Sequence, residues 1–75
     1  MRSNVLDLSK VKSKEMGEVV NEFINSHLLG GSNAIQIITS HSNKTKHLVN
    51  KILDGYELYS QEHILDSGIL TINLT

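Results

Sequence analysis

The stretch from Ala34 to Asp54 constrains this chain most, because a short β-branched run, a long polar run and an amphipathic run follow one another there without a break. Ile35, Ile37 and Ile38 stand together with no glycine or proline, the pattern of a strand covered on both faces. The run from Thr39 to His47 carries no aliphatic side chain, and Leu48, Val49, Ile52 and Leu53 then recur at helical spacing. A polar turn therefore lies between the carboxyl end of a central strand and the amino end of a helix. Ligands of open α/β sheets bind outside the carboxyl ends of the strands, and a helix amino terminus offers unpaired N–H groups and positive partial charge to an anion. That turn is where function is to be sought.

Upstream, Asn4–Leu8 reads as a short strand with Asp7 near its end. A carboxylate in an otherwise apolar strand accepts N–H bonds from the loop that follows, or takes part in chemistry. Ser13 reads as the N-cap of a helix in which Met16, Val19, Val20, Phe23, Ile24, His27 and Leu28 share one face. Glu15, Glu18, Glu22 and Asn25 take the solvated side, and Gly17 suits close packing against a sheet. His27 on the apolar stripe reads as a half-buried helix-end residue in preference to a ligand. Gly30-Gly31 ends this helix, Ser42 or Asn43 caps the second, and Asp54-Gly55 closes it.

Tyr56–Ser60 is compatible with a loop, a helical turn or the start of a strand. Gln61–Leu65 and Ile69–Leu74 are extended runs about the turn signal Asp66-Ser-Gly68, with Leu70, Ile72 and Leu74 on one face and Thr71 and Asn73 on a wet one. The order β-α-β-α-β-β predicts one α/β (α+β sandwich) domain over residues 1–75, a mixed four-stranded sheet with two helices packed on it.

Seventy-five residues leave room for one core and one site. The absence of cysteine excludes disulfides and thiolate metal sites. No apolar run is long enough for a membrane span or a secretory signal, so the expectation is a cytoplasmic protein with no membrane partner. The net charge is only −1, yet five of the seven basic residues are Lys10, Lys12, Lys14, Lys44 and Lys46. If these two clusters follow neighbouring parallel strands they share one rim.

Phosphate binding asks for helix-start N–H groups, hydroxyl donors and cations. The candidate set is Ser9, Lys10, Lys12, Thr39, Ser40, Ser42, Asn43, Lys44, Thr45 and Lys46. For strand cleavage Asp7 and His41 are the candidate base and acid, His41 being otherwise a solvated loop histidine. Asp7, His41 and His47 have no spacing diagnostic of a metal, and neither metal nor cofactor is expected. Tyr56 and Tyr59 either stack bases or pack with wet hydroxyls.

Leu6-Asp-Leu-Ser9, the helix ending in Leu28-Leu-Gly30, Ile37-Ile38 before a polar turn, and Gly68-Ile-Leu-Thr-Ile-Asn-Leu74 together resemble the small MutS-related (Smr) domain over nearly the whole chain. The resemblance implies a fold similar to the carboxyl-terminal domain of bacterial translation initiation factor 3, and a nucleic-acid endonuclease. Asp7 matches the aspartate of the family's Leu-Asp-x-His motif, but Ser9 stands at its histidine. Thr39-Ser-His-Ser42 stands at His-Gly-x-Gly, with neither glycine and with the histidine displaced by two.

The combined reading is a monomeric nucleic-acid-binding domain, for RNA or DNA, with impaired catalysis and the ribosome among its candidate partners. Two alternatives stay open. One is an interaction module or inhibitor, of the kind a phage encodes, docking on the ribosome or a host protein through an apolar patch that includes Tyr56, Leu58 and Tyr59. The other is an active endonuclease, metal-dependent or metal-independent, in which Asp7 and His41 converge in a cleft.

Overall fold

A computed structural model describes residues 3–75. The elements are β1 (Val5–Asp7), α1 (Ser13–Leu29), β2 (Ala34–Ile38), α2 (Asn43–Gly55), β3 (Ser60–His63) and β4 (Asp66–Asn73). They form a four-stranded sheet in the order β1-β2-β4-β3, with β1 and β2 parallel and β4 antiparallel to both its neighbours. This is the expected mixed sheet. The steps β1 to β2 and β2 to β3 run in the same direction across it, so crossovers of one hand place both helices on one face. A single core agrees: Val20 and Ile24 of α1 and Val49 and Leu53 of α2 meet Leu8, Ile35, Ile37, Leu70 and Ile72, all buried.

The strand β2 is covered on that face only. Ile35 and Ile37 are fully buried, whereas Ala34, Gln36 and Ile38 on the other face are partly exposed. The β-branched run suggests two-sided cover, but a chain this short has no third layer to supply it.

Both helices end in the same way. After α1, Gly31 adopts φ +76°, with Ser32 N–H bonded to His27 O and Gly31 N–H to Leu28 O. After α2 the left-handed residue is Glu57 at φ +58°, with Leu58 N–H bonded to Leu53 O and Glu57 N–H to Asp54 O. This is the Schellman arrangement, and Leu58 packs back on the core as its apolar closure. Gly55 is the last residue of α2, as Asp54-Gly55 predicts, while the left-handed position falls two residues later at Glu57. Tyr56–Ser60 resolves into cap, closure and the first residue of β3.

The hairpin turns at Ile64-Leu65 instead of at Asp66-Ser-Gly68. Gly68 serves a different end: a Cβ there would lie 3.1 Å from Asp66 Oδ1 and 3.2 Å from His41 Nε2, so the glycine admits those side chains. Neither Ile64 nor Leu65 has positive φ, and a bulge between Glu62 and His63 takes up the twist that a primed turn would provide. No helix among the described residues is long and apolar enough to cross a membrane.

Candidate nucleic-acid interface

Because β1 and β2 are parallel neighbours, paired Asp7 to Ile38, the segments leaving them emerge at one edge of the sheet. Leu8 N–H continues the ladder to Ile38 O at 3.0 Å, which fixes the start of the Ser9–Lys12 turn beside that of the Thr39–Ser42 turn. Both helix amino termini open on this rim. Lys12, not Ser13, is the N-cap of α1 and supplies no side-chain cap to the first N–H groups of that helix. At α2 the cap is Ser42, whose Oγ accepts from Thr45 N–H at 3.2 Å. Between the two first turns lies a cleft of about 180 Å³ lined by Ser13, Met16, Lys44, Thr45 and Leu48.

The candidate residues divide by what they already bond. Lys10, Lys12, Lys14 and Lys44 are exposed, as are Ser9, Ser40 and Asn43. Thr39 is buried, and both its N–H (2.7 Å) and its hydroxyl (3.2 Å) donate to Gly68 O, so it anchors the hairpin and has no donor left for a ligand. Thr45 is buried too, its hydroxyl donating to Ser42 Oγ at 3.1 Å. Lys46 lies 3.4 Å from Glu62 of β3, which offsets its charge. Among the described residues of this rim, Lys12, Lys14 and Lys44 are exposed cations without an acidic partner, the Lys10 charge acts on Asp7, and Asp7 and Glu15 are the acids on the same rim.

Ser40 and His41 both have left-handed backbones, φ +56° and +64°. For residues with a Cβ this conformation costs about 1–2 kcal/mol each. It is held because Thr39 is pinned to β4 on one side and Ser42 starts α2 on the other. The turn therefore has the positive φ that glycines would make easy, built without glycine.

Asp7 and His41 belong to separate clusters. Asp7 Oδ1 accepts the Ser9 N–H at 2.9 Å. The Ser9 hydroxyl, that N–H and then the Lys10 charge hold the Asp7 carboxyl below the ordinary value of 3.8. A depressed carboxylate stabilises the fold above the ordinary value and loses that effect as pH falls through the lowered one. His41 turns the other way, to β4. Its Nδ1 lies 3.0 Å from Ser67 Oγ and its Nε2 3.3 Å from Asp66 Oδ1. β1 and β4 flank β2, so the two clusters form toward opposite sides of that strand.

The Ser67-His41-Asp66 chain has the connectivity of a nucleophile, base and orienting acid. Its His41 and Asp66 side chains are 65% and 49% exposed, however, and it lines none of the main clefts. It is a surface clasp between the polar turn and the hairpin. Sequence reading missed it because its partners are 26 residues apart.

No family model, curated protein or solved structure matches this chain.

The remaining sequence candidates fall outside the rim. His27 is buried and satisfied, Nδ1 2.7 Å from Ser32 Oγ and Nε2 3.0 Å from Ser3 O, with Phe23 edge-on. Tyr56 packs on the core and its hydroxyl donates to Asn21 Oδ1 at 2.6 Å, and Leu58 is also packed, so of the suggested apolar patch only Tyr59 is exposed. Among the described residues no group of three or more histidine or acidic side chains is placed to hold a metal. A cleft of about 450 Å³ lies at the opposite end of the sheet beside Glu57, Tyr59 and Thr75, and no cation lines it.

Proposed function

We propose that this domain binds the phosphate backbone of RNA or DNA along the rim made by Ser9–Lys14 and Ser40–Lys44, as a non-cleaving form of the Smr-like scaffold. One observation carries the reading: the parallel β1–β2 pair sets two lysine-bearing turns side by side where both helices begin. Lysines supply charge, the exposed Ser40 hydroxyl supplies a donor, and the helix starts supply N–H groups and positive partial charge, the elements that position a nucleic-acid backbone. Cleavage is disfavoured because Asp7 bonds Ser9 while His41 bonds Ser67 and Asp66, so the candidate base and acid are held in different clusters.

The test is an anisotropy titration of labelled single-stranded RNA and duplex DNA over a range of salt. With about three or four phosphates neutralised, log K falls against log salt with a slope of about −2 to −3 on a single strand, and the labelled strand stays intact. Binding that is absent at low salt, or insensitive to salt, contradicts the proposal.

A further inference from the structure

We infer that the hairpin tip Ile64-Leu65 is an apolar wedge that inserts between bases of the nucleic acid held on the adjoining rim. The inference rests on the function proposed above and extends it from the backbone to the bases.

Ile64 and Leu65 are 94% and 87% exposed, the two most exposed large apolar side chains among the described residues, and they are consecutive. Two-residue hairpin turns favour Asn, Asp and Gly. An aliphatic pair there gains nothing from the fold, because neither side chain touches the core. The tip is nonetheless firmly set. Leu65 N–H donates to His63 Nδ1 at 3.1 Å, Gly68 N–H to Asp66 Oδ1 at 2.8 Å, and His41 grips Asp66 and Ser67.

Its position links it to the rim. Thr39 N–H is bonded to Gly68 O and Ile38 is paired with Ile69, so the hairpin leaves the sheet at the end where the lysine-bearing turns emerge. The acids beside the tip are both engaged, Glu62 by Lys46 and Asp66 by His41 and Gly68, which lessens their repulsion of a polyanion. The cationic rim suits a nucleic acid, and aliphatic side chains such as Ile and Leu are those that enter and unstack base steps. A protein partner needs about 800 Å² from each side, of which two side chains supply only a small part.

The test uses a duplex DNA and a stem-loop RNA carrying aminopurine, a base whose fluorescence rises when it leaves the stack. The proteins are the wild type and the Ile64→Ser/Leu65→Ser variant, whose fold is checked by its urea midpoint. The wild type should raise the fluorescence of at least one probe position. The variant should keep the salt slope, bind about tenfold more weakly and lose the rise. Wild-type binding with no rise at any probe position, or a rise that survives in the variant, overturns the wedge and leaves the phosphate reading intact. Failure of the wild type to bind overturns both. Loss of binding to anionic lipid vesicles in the variant, with no unstacking by the wild type, assigns the tip to a membrane and also overturns the wedge.

Discussion

Replacing Ile37 by alanine is expected to remove about 2–5 kcal/mol of stability, while the same change at the adjacent Ile38 should remove about 1 kcal/mol or less. Ile37 is fully buried, lying between Leu6 on β1 and Leu70 on β4 and beneath both helices. Ile38 sits on the open face between Asp7 and Ile69. A domain of this length has about 4–11 kcal/mol in all, so Ile37→Ala brings it near the folding threshold. Urea unfolding of the two variants gives the comparison. Equal losses would mean that the open face of the sheet is covered in solution.

The second large effect is on affinity. Lys12 and Lys44 are both exposed and stand on different turns, so the double variant Lys12→Glu/Lys44→Glu removes positive charge from both halves of the rim without disturbing the core. Removing one lysine–phosphate pair lowers the single-strand salt slope by about 0.7, which at about 50 mM salt is near eightfold in affinity. Two such pairs amount to roughly sixtyfold, and reversing the charges adds repulsion to that. Lys46 is the wrong choice for such a variant despite its place in the polar turn. Its Glu62 partner would be left facing a second carboxylate, and lost stability would be read as lost binding.

The parts of this fold that were legible in the sequence are those written in local periodicity. The stripe from Met16 to Leu28, the helical spacing of Leu48 to Leu53 and the alternation from Leu70 to Leu74 each set an element and its buried face, and the element order then set the topology. The errors lie where a residue's role comes from a distant partner. Gly68 looks like a turn glycine and is instead the space for His41 and Asp66. Thr39 and Lys46 look like free donors until β4 and β3 arrive beside them. Asp54-Gly55 does mark the end of α2, but the left-handed residue of its cap is Glu57, which depends on Leu58 packing on the core beyond it.

The same distinction applies to the rim. Lysine-bearing turns after two parallel strands can be read from the order of elements, and Lys10, Lys12 and Lys44 stand exposed where that order puts them. Asp7 and His41 make a pair by residue type alone. Strand order separates them, because β4 lies on the far side of β2 from β1 and draws His41 toward itself.

The most direct measurement is an amide chemical-shift titration of the isotopically labelled protein with a short single-stranded RNA and, separately, a short duplex DNA. The account predicts that the perturbed amides cluster at Ser9–Lys14 and Ser40–Lys44, while Glu57–Gln61 and Thr71–Leu74 at the opposite end of the sheet stay still. Shifts confined to that opposite end, or none with either nucleic acid at low salt, would contradict it.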